Sequence, residues 1–141
     1  MNFSADDLDN LCICAWREAR GEGQDGMRAV MHVIVNRAKK WYFKANDPLH
    51  DTIYARNQFT SMSVPSDPEY SLMPKAGDPQ YAYCLGIAPD VLAETDPDLT
   101  GGALYYANLK YVTSGWFLNS IVNCPDVHPQ TAVVGQQTFY R

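Results

Sequence analysis

Positive charge is the first thing in short supply. Across 141 residues, 11 lysines and arginines stand against 16 aspartates and glutamates, a formal net charge of −5. Such a chain has no basic field to steer a polyanion toward it, which argues against nucleic acid as a partner. A polymeric ligand would have to be held by local contacts from aromatics, amides and hydroxyls. Histidine is scarcer still, at three residues, His32, His50 and His128. None are paired as His-x-x-x-His, so a hydrolytic metal centre of that kind is not expected and no cofactor is implied. His32 falls inside an apolar helical pattern, where a hydrogen-bonded core histidine is the expectation. The four cysteines, Cys12, Cys14, Cys84 and Cys124, are too few and too unevenly spaced for a disulfide framework. On one helix Cys12 and Cys14 would point about 200° apart, which defeats chelation by that pair. They read as mostly buried small apolar residues, with a bridge through Cys84 or Cys124 left open. A cysteine amidase needs a thiol beside a histidine, and no such pair is adjacent in the sequence. No apolar run approaches the length of a membrane span. The opening Met1-Asn2-Phe3-Ser4-Ala5-Asp6-Asp7 has neither the basic region nor the apolar core of a signal peptide. Internal repeats and low-complexity segments are absent.

What remains is ordinary for a folded chain: 46% apolar and 19% charged residues, with nine Tyr, five Phe and three Trp. Residues 1–141 are expected to form one domain with a real core. Ser4 followed by Asp7 reads as a helix cap, opening a helix that runs to about Arg20. Gly21-Glu22-Gly23 ends it. A second helix starts near Gln24 or Asp25 and carries Met27, Val30, Met31, Ile34, Ala38 and Trp41 at helical spacing. Ala29, Val33 and Val35 widen that stripe enough to predict a central, nearly buried helix. Periodicity then disappears from Lys44 to about Asp78, where Pro48, Pro65, Pro68, Pro74 and Gly77 interrupt the chain. This stretch reads as loop with short strands around Thr52 to Ser61, and its length suggests a binding or active-site wall. Asp78-Pro79 reads as the cap and first position of a further helix through Ala88, which Pro89 interrupts. Thr95 to Gly102 reads as turn, and Ala103 to Asn108 as a short strand or extended segment.

One carboxylate stands out. On the first helix Leu8, Leu11, Cys12, Ala15 and Ala19 share a face, and Glu18 lands at the edge of that stripe. Burial and the negative end of the helix dipole both favour its protonated form. A carboxylic acid that keeps its proton near neutrality is what glycosidic cleavage requires, since the leaving oxygen must receive a proton as the bond breaks.

The segments Glu18-Ala19-Arg20-Gly21-Glu22, Gly26-Met27, Ala29-Val30 and Val35-Asn36-Arg37 together resemble the opening of the spore-cortex-lytic type of cell wall hydrolase. Asn57-Gln58-Phe59-Thr60 resembles that family's Gln-Phe-Ser element. Gly102-Ala103-Leu104-Tyr105-Tyr106-Ala107-Asn108 resembles its Gly-Ala plus Tyr and Asn element, and Gly135-x-x-x-Phe139-Tyr140 its terminal motif. The resemblance implies an α+β, mainly α, lysozyme-like or lytic-transglycosylase-like fold with a small β element beside a glycan cleft. It also implies cleavage of the β-1,4 bond between N-acetylmuramic acid and N-acetylglucosamine of bacterial peptidoglycan, with Glu18 as the catalytic acid. Glu22 is then a structural or cleft-edge carboxylate, and the rival for that role. Gln58, Tyr106, Asn108 and Tyr140 are expected to line the cleft, with Phe59 and Phe139 in the core and Asn57 in a turn. Gln137 stands where the family commonly has a histidine, and its amide can exchange hydrogen bonds but cannot titrate. A lytic transglycosylase forming 1,6-anhydro products is the leading expectation. A true lysozyme using a second carboxylate, and a non-catalytic glycan-binding module, are the alternatives. The absence of an export signal, anchor or wall-binding module leads to the expectation of a monomeric phage endolysin, made in the host cytoplasm and released to the wall.

Overall fold

The computed structural model describes residues 2–141. Helix α1 (Ala5–Ala19) opens with a capping box: the Ser4 hydroxyl accepts from Asp7 N at 3.1 Å, and Asp7 Oδ2 accepts from Ser4 N at 2.9 Å. A single tight turn, Arg20–Glu22, follows, and Gly23 at φ +80° turns the chain into α2 (Gly23–Trp41). Gly26 is needed for a different reason, close approach: a Cβ there would lie 2.4 Å from the Glu22 Cβ. The Gly-Glu-Gly…Gly spacing therefore folds the end of α1 back against the start of α2.

Helix α2 is the buried centre. Met27, Met31, Ile34 and Ala38 are fully buried in the main core with Leu11, Cys12 and Ala15 of α1, while Ala29 and Val33 face a second cluster with Ala103 and Phe139. Two further faces of the main core come from α3 (Pro48–Tyr54) and α5 (Pro79–Leu92). Short strands were expected around Thr52 to Ser61. That stretch instead holds α3 and a single-turn α4 (Thr60–Ser63). Asp47 caps α3 and Pro48 supplies its first turn, and Leu49, Thr52 and Ile53 all turn inward at helical spacing. The helix opened by the Asp78 cap also runs on through Pro89 to Leu92. Burial of Ala88, Val91 and Leu92 holds the last turn in place despite the missing N–H.

The β element is a three-stranded antiparallel sheet in the order β1 (Tyr105–Ala107), β3 (Gln137–Tyr140), β2 (Gln130–Val134). Tyr105 pairs with Tyr140 and Tyr106 with Phe139. Directly paired residues share a face, so the sheet has two distinct sides. Tyr106 stacks on Phe139 against α2, whereas Tyr105 and Tyr140 face Phe117 and Ile121 of the turn formed by α6 (Gly115–Phe117) and the wide helical turn Leu118–Val122. The architecture is the mainly helical α+β one expected, with its small sheet beside the C-terminal end of α1. No helix among the described residues is long and apolar enough to cross a membrane.

Candidate active site

Three elements meet at Glu18: the last turn of α1, the short helix α4 and strand β1. The Tyr106 hydroxyl donates to Glu18 Oε1 over a long 3.4 Å. The α4 contribution is Ser61, a fully buried residue whose hydroxyl bears on the Glu18 carboxyl and favours its charged form, although it makes no aligned hydrogen bond. Arg37 of α2 closes the floor. Its Nε donates to Leu104 O at 2.6 Å and its Nη1 to Gln58 Oε1 at 3.0 Å, while its guanidinium lies 5.2 Å from the centre of the Phe59 ring. Burial lowers the pKa of Arg37, and the fixed charge still reaches Glu18.

The net result for Glu18 is a pKa above its ordinary value. Burial is the largest cause and the negative charge of Asp67 adds to it, against the Ser61 and Tyr106 hydroxyls and the Arg37 charge. The side chain is accessible to solvent on one side, as an acid that must meet a substrate has to be, while protein packs around the rest. That surrounding protein, rather than the exposed area, governs its titration. Tyr106 is itself pushed well above the usual phenol range by burial and by Glu18. It remains a proton donor at any physiological pH.

The long segment after α3 packs against the end of α1, which holds it there. Arg17 donates from Nη1 to Ser61 O and from Nε to Leu72 O, each at 3.0 Å, and its guanidinium also touches Met62 and Met73. Arg20 lies over the Trp16 ring at 4.1 Å and pairs with Glu69. The two arginines flanking Glu18 in sequence thus turn away from the carboxylate to clamp residues 61–73. On this segment Asp67 is held through Thr60 Oγ1 at 2.5 Å and Glu69 N at 2.8 Å, and these hydrogen bonds keep its carboxyl below the ordinary value.

The remaining expected residues separate. Glu22 does not turn toward Glu18: its Oε2 faces the β2–β3 turn, accepting from Gln136 N at 3.4 Å and lying 3.0 Å from where a Cβ on Gly135 would be. Gly135, at φ +58°, lies in the left-handed region that favours glycine. Asn108 donates to Gln136 Oε1 at 3.2 Å and accepts from Lys110 N at 3.1 Å, tying the end of β1 to that same turn. Gln137 lies two residues from Phe139, which puts it on the Tyr106 side of β3. Tyr140 is not a cleft residue. It is 3% exposed and packs edge-on against Phe117 on the opposite side of the sheet, because the pleat that turns Phe139 toward Tyr106 turns Tyr140 away. Phe59 and Phe139 are buried as expected, and Asn57 adopts φ +63° in its turn.

Four residues around the site were not expected there from the sequence: Ser61, Asp67, Arg17 and Arg37. Arg37 carried a signal, as a charged residue inside the helix expected to be nearly buried, and Ser61 and Asp67 carried none. The three buried thiols are poor nucleophiles. Cys12 and Cys84 are pushed up to about 12 by burial, Cys14 is raised by the same cause, and all four cysteines are free.

The model of a family described as Cell Wall Hydrolase matches residues 21–140, a span that opens three residues after Glu18 and takes in Glu22, Gln58, Tyr106, Asn108, Gln137 and Tyr140. The chain is similar to a spore cortex-lytic enzyme of Oceanobacillus iheyensis, 30% identical over 137 residues, covering 97% of this chain and 42% of that protein. It therefore spans less than half the length of that curated relative. Its structure resembles the catalytic domain of the germination-specific lytic transglycosylase SleB from Bacillus anthracis, with a TM-score of 0.71 at 27% identity over 99% of this chain and 98% of that one. The catalytic domain of the Bacillus cereus SleB protein is similar to the same degree, with a TM-score of 0.70 at 27% identity over 99% and 93% of the two chains.

Proposed function

The chain belongs to the cell wall hydrolase family, and from that premise we propose that it is a peptidoglycan lytic transglycosylase in which Glu18 acts first as acid and then as base. The bond cut is the β-1,4 linkage between N-acetylmuramic acid and N-acetylglucosamine. The observation that carries this reading is a single accessible carboxyl whose surroundings favour its protonated form, at the meeting point of α1, α4 and β1. Protonated Glu18 gives its proton to the glycosidic oxygen as the bond to C1 breaks and positive charge develops on the sugar ring. Glu18, now ionised, accepts the proton of the muramic acid C6 hydroxyl as that oxygen bonds to C1. The product is a 1,6-anhydro sugar, no water is consumed, and the acid is restored. Tyr106 supports the ionised intermediate state by donating to Oε1. Gln58, Asn108 and Gln137 offer amides to the N-acetyl and hydroxyl groups of the glycan, and Glu22 supports the hairpin turn that carries part of that surface.

Hydrolysis is the second reading, and one observation favours it. Asp67, whose hydrogen bonds hold its carboxyl below the ordinary value, is a carboxylate whose negative charge raises Glu18. Mass spectrometry of purified peptidoglycan digested by wild type and by Glu18→Gln separates the readings. Products lighter by one water than the hydrolytic ones, lost in the variant, are expected. Reducing-end muropeptides would instead make the enzyme a lysozyme with Asp67 as its second carboxylate. Unchanged glycan from both proteins would leave only a binding module.

A further inference from the structure

Strand β1 carries two successive tyrosines, and the pleat sends them to opposite faces of the sheet. Tyr106 goes to Glu18, whereas Tyr105 becomes the centre of a second aromatic group. Its ring centre lies 5.7 Å from that of Trp41 at the end of α2, 6.3 Å from Trp116 of α6 and 5.2 Å from His128. These pairs are inclined at 56°, 59° and 81°, so none is stacked face to face. Each ring has its own support. Trp41 lies 5.7 Å from the Arg37 guanidinium, Tyr105 is held by the pairing of its strand with Tyr140, and Trp116 stands on a turn that Ser114 caps. Trp116 is nevertheless 61% exposed and Trp41 40%, although Phe117, the neighbour of Trp116, does turn into the core. A fixed, contiguous group of exposed aromatics marks a binding surface.

The polar surroundings indicate the ligand. Lys40, His128 and Arg141 line the groove beside Trp41 and Tyr105, and no aspartate or glutamate side chain lines it, in a chain whose net charge is −5. His128 Nδ1 donates to Arg141 O at 3.0 Å, which leaves Nε2 for a ligand. Sugar rings present apolar C–H faces that pack on aromatic rings, and the peptide stems of peptidoglycan carry carboxylates that suit the two cations. Resting on the reading of peptidoglycan as the substrate, we propose that Trp41, Tyr105 and Trp116 form a second glycan-binding surface, separate from Glu18, at which Lys40 and Arg141 take stem carboxylates. The wall is a solid, so a second contact keeps the enzyme beside uncut strands between cleavages and raises their effective concentration at the acid. Because Tyr105 and Tyr106 are consecutive, one strand serves both surfaces.

Co-sedimentation with insoluble purified peptidoglycan tests this on the full chain, in a Glu18→Gln parent so that the ligand stays uncut. Adding Trp116→Ala should weaken binding about fivefold, the loss of one aromatic contact. Adding Lys40→Gln to the parent instead should weaken binding less and flatten its dependence on salt. Both side chains are exposed, so the thermal midpoints of these variants should match that of the parent. In the parent, the indole N–H signals of Trp41 and Trp116 should shift together when soluble peptidoglycan fragments are added. Binding unchanged by both substitutions, or indole signals that stay still, overturns the proposal. So does self-association of the parent that Trp116→Ala abolishes while wall binding persists, since the aromatic group would then be a contact between two copies. If wild type leaves glycan intact while Trp116→Ala still weakens sedimentation, the surface stands and the reading of Glu18 as a glycosidic acid falls. Cleavage by wild type with equal sedimentation of all variants does the reverse.

Discussion

At the scale of single residues, what makes Glu18 useful also makes it costly. Its folded pKa lies above the ordinary value of 4.5 because the protein packs around it. Both folded and unfolded chains are protonated below 4.5. As pH rises the unfolded chain ionises first, so stability is fully present on the acid side and is lost as pH climbs through the raised folded value. Glu18→Gln removes the ionisation. Its thermal midpoint should exceed that of wild type near pH 7, with the gap closing toward pH 4, and a constant gap across that range would contradict a raised Glu18. The placement of this residue was legible in the sequence from helical periodicity alone. Its neighbours were not: Ser61 lies 43 positions away and Tyr106 lies 88, and spacing along the chain says nothing about contacts of that range.

At the scale of elements, α2 delivers β1 to the site. Arg28, His32 and Asn36, one helical turn apart, grip the turn that precedes the strand. Arg28 Nε lies 2.6 Å and His32 Nε2 2.7 Å from Asp96 Oδ2, and Asn36 Nδ2 donates to Asp98 Oδ2 at 2.9 Å and to Ala103 O at 3.1 Å. Asp98 in turn accepts from the backbone of Thr100 and Gly102. This grip fixes where Ala103 starts and hence where Tyr106 arrives. Asp96→Asn should lower stability by about 2 kcal/mol, the size of a hydrogen bond to a charged group, as read by denaturant unfolding. The Arg28 and His32 hydrogen bonds hold the Asp96 carboxyl below its ordinary 3.8 despite burial, so the advantage of wild type is present above 3.8 and lost as pH falls through the lower folded value. The sequence showed α1 and the start of α5 through their caps, and α2 through its long apolar periodicity. It hid α3 and α4, which are seven and four residues long, too short for a period to register.

At the scale of the whole molecule, the fold keeps an irregular segment against a regular helix. Arg17 of α1 and Arg20 of the turn that follows it reach across to hold residues 61–73, and that clamp fixes the segment carrying Ser61 and Asp67 against the end of α1. Arg17→Ala should speed hydrogen exchange across residues 61–73 and raise KM for peptidoglycan several-fold, leaving exchange in α2 and α5 unchanged. Protection lost evenly over the chain would mean that Arg17 supports the whole core. Local order alone determined the caps, the two long helices, the glycines that fold α1 against α2 and the acid at the edge of an apolar stripe, because each depends on residues a few positions apart. The tertiary structure decided that Glu22 turns to the hairpin, that Tyr140 packs on the face of the sheet away from Tyr106 and that Tyr106 reaches Glu18. Those depend on the pleat of a sheet and on side chains meeting across dozens of residues, where the energy lies in burial and long-range hydrogen bonds that no local pattern records.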